Sequence, residues 1–363
     1  MRVLAILVTG LAVASSTLTC EKSLNLLQSS KALSTKTHQE LRQVGCQSGS
    51  NQCIVPRDET WVLDTSLDVG ELIVQGKFEW DTSKENLELR ACRIMVEDGA
   101  EFQVGTAAMP MNNKATIYIK DCPNQFAESV AGQRFLAGRG AARIEIHGRR
   151  LEKHFTLLGE TAMAGSRELV LKDPAAAMGW RVGDEVGVVT TGGDDESTYA
   201  PPVDGSTRHV IEAINGNTIT IEPALTAKHL GGMKNMAGSL YEMAAEVVNM
   251  ERSVKITGDN DGFFTSGQGF HTMIMPEQGK FGVLDVRWAR LEYCGQLDKT
   301  GRYCLHFHLM KHCPQCVLQG NTVIDSFQSG ITIHGTHDSL VDANVLWDNH
   351  GVGIYTEDGN EMD

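Results

Sequence analysis

From Ile54 onward the chain alternates apolar and polar residues in short runs, cut by glycine and by clusters of Asp, Asn, Ser and Pro. The runs "TWVLDTSLDVGELIVQGKFEWD", "LELRACRIMVEDGAEFQVGT" and "ATIYIKD" have the length and two-residue period of strands. In "ELIVQGKFEW" Leu72, Val74, Phe78 and Trp80 share one parity, which predicts one buried side, and Gly76 predicts a tight turn or bulge. Residues 46–160 read as a compact all-β domain. Strands continue through "RELVLKDPAAAMGWRVGDEVGVVTT", and the Asn-Gly of "INGNTITIEPAL" between β-branched runs predicts a hairpin. Between them, "GGDDESTYAPPVDGST" concentrates Gly, Asp and Pro and predicts a long loop.

From about residue 245 the strands shorten and repeat. "NTVIDSFQSGITIHG" aligns with "NVLWDNHGVGIYTED", matching Asn321 to Asn344, Asp325 to Asp348, Ile331 to Ile354 and His334 to Glu357, a period of 23 residues. A strand-turn-strand unit at that period predicts a solenoid whose coils stack strands in parallel. "LHFHL", whose His308 lies 26 residues before His334 of "TIHGT", supplies a third copy.

That stacking organises "GRYCLHFHLMKHCPQC", residues 301–316, with its three histidines and three cysteines. Alternate residues of a strand face opposite ways, so Leu305 and Phe307 oppose His306 and His308, and Ile331 and Ile333 oppose His334. Neighbouring coils lie about 4.8 Å apart, so His308, His334 and Glu357 are expected in one outward column within ~10 Å, with His306, Tyr355 and Asp358 beside it. His337, His350 and Glu361 follow closely in sequence, and His271 lies on an earlier strand. Two chemistries suit such a column. His308, His334 and Glu357 match the ligand types of a divalent metal, calcium or zinc. Alternatively, Glu357 or Asp358 acts as acid or base on a polymer lying across the sheet, with His308 and His334 stabilising charge. His306, His337, Tyr355 and Glu361 are then the expected substrate contacts. A third reading is a polar ladder that only stabilises the solenoid.

Composition adds little to the fold and more to the setting. With 37 glycines and 6% aromatics, many short strands are favoured over a helical bundle. The formal charge of −14 argues against nucleic acid and against anionic membrane surfaces. The opening "MRVLAILVTGLAVASSTLTC" has one basic residue, a short apolar run and then small residues, the anatomy of a signal peptide over residues 1–16. A polar leader, helical or unstructured, is expected over 17–45. No run reaches the roughly 18 apolar residues of a membrane span. Nine cysteines fit an oxidising compartment. Cys46 with Cys53, Cys92 with Cys122, and pairs among Cys294, Cys304, Cys313 and Cys316 are expected, leaving Cys20 over. "CPQC" also has the form of a redox or zinc half-motif.

Several stretches together resemble one family. "TSLDVGELIVQGKFEW" and "ACRIMVEDGAEFQVGT" resemble the G8 domain. "GWRVGDEVGVVTT", "GRYCLHFHL", "GITIHGTHDSLVDANV" and "NHGVGIYTEDGNE" resemble the β-helix that follows G8 in the cell-migration-inducing hyaluronan-binding protein, transmembrane protein 2 and the fibrocystin-like proteins. The resemblance implies a G8-like β domain over 46–160 and a right-handed parallel β-helix over 161–363. It implies a secreted or surface protein that binds, and in some members depolymerises, an extracellular polysaccharide such as hyaluronan. The alternative is a non-catalytic adhesion or structural module; the fibrocystin-like members are large surface proteins without an established enzyme activity. Members usually continue with further coils beyond the acidic motif, and Asn349-His350-Gly351 stands where the family has Gly-His-Gly.

Overall fold

The computed structural model describes residues 34–37, 46–122, 128, 130–191, 207–260, 268–359 and 361. The expected signal peptide, Cys20, most of the leader and all but the last residue of the Gly/Asp/Pro-rich loop lie outside them.

Three parallel sheets wind about one core. The first face stacks Gln52–Val55, Glu71–Val74, Arg93–Val96, Phe135–Arg139, His271–Met275, Leu305–His312, Ile331–His337 and Ile354–Thr356. The second stacks Glu59–Leu63, Lys77–Trp80, Glu101–Val104, Arg143–His147, Val283–Arg287, Val317–Gln319 and Leu340–Asp342. The third stacks Leu67–Asp68, Leu87–Ala91, Ala115–Ile119, Val254–Gly258, Ala289–Glu292, Thr322–Ser326 and Val345–Asn349. Spatial order follows chain order on every face, so each passage through the three is one coil of a parallel β-helix. At the start of the stack, Ser34–Thr37 pairs in parallel with Glu59 to Val62, so the leader contributes a strand where a helix or an unstructured segment was expected.

Strand parity set the core as the sequence predicts. Leu72, Val74, Phe78 and Trp80 all point inward and are buried, and Phe78 stacks on Phe102 of the next coil at 5.8 Å between ring centres. Each such side chain contributes about 1.5–3 kcal/mol of burial. Gly76 makes the turn between two of these strands, where any Cβ would overlap the carbonyls of Pro56 and Glu59 on the coil beneath. The 23-residue repeat is a coil: Ile331 pairs with Ile354, and Asn321 and Asn344 occupy the same corner. There Asn321 Oδ1 accepts from Ala289 N, and Asn344 Oδ1 accepts from Asn321 N. This side-chain ladder satisfies backbone donors that the corner would otherwise bury without partners.

The division expected between residues 160 and 161 does not separate two stacks. Arg143–His147 pairs with Glu101–Val104 on one side and with Val283–Arg287 on the other, so the hydrogen-bond ladder runs unbroken from the G8-like segment into the later coils. The chain leaves the helix within one coil, after Arg143–His147, and rejoins it at Val254–Gly258. The excursion forms a six-stranded sheet of Phe155–Leu157, Glu168–Val170, Glu185–Val188, Thr207–Asn215, Thr218–Glu222 and Glu246–Asn249, with every pairing antiparallel. It has its own core around Trp180, Val186, Ile211, Ile221 and Val247. The predicted hairpin is within it, with Asn215 paired to Thr218. Among the described residues helical structure is confined to the 3-10 turn Ala175–Met178.

Four disulfides join Cys46 to Cys53, Cys92 to Cys122, Cys294 to Cys304 and Cys313 to Cys316. The last closes "CPQC" on itself and withholds both thiolates from zinc. Among the described residues no helix is long and apolar enough to cross a membrane.

Candidate functional site

The predicted column forms on the outer side of the first face. His308 and His334 are register partners on adjacent coils, with Nδ1 atoms 3.2 Å apart. On the next coil Glu357 N donates to Ile333 O, which continues the register and brings Glu357 Oε2 to 3.3 Å from His334 Nδ1. Asp358 Oδ2 lies 3.1 Å from His334 Nε2. One nitrogen from each of His306, His308 and His334 falls within 4.8 Å of the others.

His306 takes a different place from the one expected. It shares the outward parity of His308 but is fully buried, with the Tyr303 ring edge-on at 5.1 Å and His308 at 5.0 Å. Parity fixes the face and not the cover, and here Tyr303 is the cover. A polymer therefore cannot touch His306 directly, and its expected role as a substrate contact gives way to one inside the cluster. Its Nδ1 is 2.9 Å from Gly301 O, which makes that nitrogen the donor and leaves Nε2 as a bare acceptor, 3.9 Å from Glu357 Oε2. His306 Nε2 is buried without a hydrogen-bond partner, whereas the buried Glu357 Oε2 has His334 Nδ1 at 3.3 Å. Burial, then the neighbouring His308, holds His306 well below the ordinary imidazole range, and burial followed by His334 lowers His308. Neutral rings with unshared lone pairs are the form that binds a metal.

Other predicted residues divide. Tyr303 donates from its hydroxyl to Glu357 Oε1 at 3.1 Å, a supporting role that strand parity could not reveal because Tyr303 precedes the strand. Tyr355 is exposed one coil beyond Thr332, with its hydroxyl 3.5 Å from Glu357 O. Glu361 Oε1 accepts from Gly335 N at 3.1 Å and braces the strand behind His334. A register shift between His308 and Lys311 pairs His337 with His312, which places His337 along the strand from the cluster rather than in its column. His271 stands in another column, against Phe135, with Nε2 donating to Ala131 O at 2.8 Å.

Comparison with known proteins matches residues 42–159 to the G8 domain and residues 267–363 to the CEMIP beta-helix. The chain belongs to the G8-domain, β-helix family. Human fibrocystin-L is 28% identical over 353 residues, covering 85% of this chain and 8% of its own length. A G8 domain-containing protein of Dictyostelium discoideum is 28% identical over 298 residues, covering 82% of this chain and 23% of its own. The chain thus spans a small part of these relatives. Among solved structures, the tailspike gp61 of Pseudomonas phage phi297 covers 72% of this chain and 39% of its own at 14% identity, with a TM-score of 0.24. The histidine cluster and both acidic residues fall inside the β-helix match, and the inserted antiparallel sheet falls almost wholly between the two matches.

A second cluster of the same ligand types lies on the second face and was not expected from the sequence. Glu145, His147 and Asp285 come together there, with His147 Nε2 3.2 Å from Asp285 Oδ2. Its carboxylates are already engaged, because Arg287 grips Asp285 with two bonds and Arg143 pairs with Glu145. That leaves this cluster poorly suited to a metal, in contrast to the three histidines.

Proposed function

We propose that this family member binds an extracellular, hyaluronan-like polysaccharide across the outer first face and cleaves it there, with a divalent metal held by His306, His308, His334 and Glu357. The observation that carries the reading is His306 Nε2, a buried acceptor without a hydrogen-bond partner, beside two further imidazoles and Glu357. Leaving such a polar atom unpaired costs about 1–3 kcal/mol, a cost that coordination removes. Three nitrogens and one carboxylate oxygen are the donor set of zinc more than of calcium, which prefers oxygen alone.

The surrounding residues fit that purpose. Gly301 O orients His306 and Asp358 orients His334, the outer-shell bonds that fix imidazole tautomers around a metal. Tyr303 holds Glu357 through the oxygen that faces away from the histidines. Asp358, with 41% of its side chain exposed, is the carboxylate placed to move a proton at a glycosidic oxygen. A divalent cation bound there would supply a Lewis acid and offset the charge that a −14 chain sets against an anionic glycan. Secretion through the expected signal peptide accords with four disulfides, which persist in oxidising compartments.

The test is retention on immobilised hyaluronan and on neutral glycans, with and without added zinc, together with zinc titration by calorimetry. One zinc per chain and zinc-dependent retention are expected. Absence of both from folded protein would leave the adhesion-module reading.

A further inference from the structure

A groove beside the third face carries a separate inference. It lies where the third face meets the inserted sheet. One hollow of about 660 Å³ is lined by Arg208, His209, Trp347, Asp325 and Asp348 among others. A second of about 450 Å³ shares Asp325 and Asp348 and extends past Tyr293. The two aspartates stand at equivalent points of the 23-residue coil, so they are about 4.8 Å apart along the stack. Both adopt left-handed backbone, with φ of 50° and 51°.

The side chains are held rigidly. The Trp347 ring lies against Gly187 of the inserted sheet so closely that any side chain there would meet the indole. Arg208 is fixed between Glu185 at 3.1 Å and Asp325 at 2.7 Å. Tyr293 stacks on Phe327 with ring centres 6.5 Å apart. Oriented aromatic rings beside fixed carboxylate and guanidinium groups suit a pyranose, which offers an apolar face for stacking and hydroxyls for bidentate bonding. Carboxylates outnumber the guanidinium in the groove, which disfavours a uronate-bearing chain.

We infer that this groove between the β-helix and the inserted sheet binds a neutral oligosaccharide, independently of the histidine cluster. Trp347 supplies the stacking platform, and Asp348, Asp325 and Arg208 read the hydroxyls. Two joined hollows give room for more than one sugar unit.

Calorimetric titration of the full chain with cello-, malto- and chito-hexaose, with a hyaluronan hexasaccharide as anionic control, tests this. Saturable binding of at least one neutral hexaose is expected. It should weaken about tenfold or more, some 1.4 kcal/mol, in Trp347→Ala and in Asp348→Ala, and stay unchanged in His308→Ala. Asp348 is exposed, so that variant remains informative if Trp347→Ala fails to fold. No saturable binding by folded protein, binding unaffected by Asp348→Ala, equal loss in His308→Ala, or preference for the hyaluronan fragment would each overturn the inference. Because the His308→Ala arm addresses the first face, failure here and failure of the metal-site reading give different patterns.

Discussion

His308 and His334 are 26 residues apart in sequence and 3.2 Å apart at their Nδ1 atoms. Replacing both by Ala should abolish zinc binding while changing the urea midpoint little, because neither side chain belongs to the inner core. Expected loss of stability is within about 1 kcal/mol. A loss of several kcal/mol with zinc affinity intact would identify a structural ladder instead.

His271 gives the fold a pH dependence of definite sign. Burial, helped by the nearby cations Arg302 and Lys299 and only partly opposed by the bond to Ala131, pushes its imidazole down to about 4. The unfolded chain takes up a proton near pH 6.5 that the folded chain refuses until about 4. Stability is therefore whole above pH 6.5 and falls as pH drops through that window, by about 3 kcal/mol from this group alone. His271→Gln should flatten the fall in unfolding free energy measured between about pH 7 and pH 4.5. An unchanged slope would contradict the assignment.

Arg290 ties the inserted sheet to the coils. It is buried between Glu185 of the insert at 2.7 Å and Glu292 at 2.6 Å, with Glu251 at 3.6 Å. Burial opposes its charge, but Glu292 and Glu185 outweigh that and keep it raised. Arg290→Met leaves Glu185 to Arg208 and Glu292 to Lys255 alone, removes the cation beside Glu251, and should cost about 3–5 kcal/mol in urea unfolding. A cost under ~1 kcal/mol would mean water screens the cluster.

The disulfides should differ in worth. Cys92–Cys122 spans 30 residues and Cys313–Cys316 only three. Loop-closure entropy predicts losses of about 4 kcal/mol for Cys92→Ser with Cys122→Ser and about 2 kcal/mol for Cys313→Ser with Cys316→Ser. Equal losses, or the reverse order, would show that strain or residual structure in the unfolded chain dominates.

Much of the helix was legible because parity and period are local. Leu72, Val74, Phe78 and Trp80 declare a buried side, and Asn321 with Asn344 declares a coil. The excursion between His147 and Val254 was not legible, since antiparallel and parallel strands carry the same alternation and nothing near Val254 names Ala115–Ile119 as its neighbour. The His308–His334–Glu357 column followed from register alone. The burial of His306 did not, because its cover, Tyr303, comes from the preceding turn. Nor did the groove at Trp347, which exists only where the insert folds back onto the coils.

The most direct measurement is the chain length of hyaluronan and of neutral polysaccharides incubated with zinc-loaded protein, beside Glu357→Gln and His306→Ala prepared identically. Shortening of at least one polymer by the parent chain is expected, with its loss on chelation and its absence in both variants, which remain folded. Shortening that survives Glu357→Gln, or none by folded, zinc-loaded protein on any polymer, would contradict that expectation.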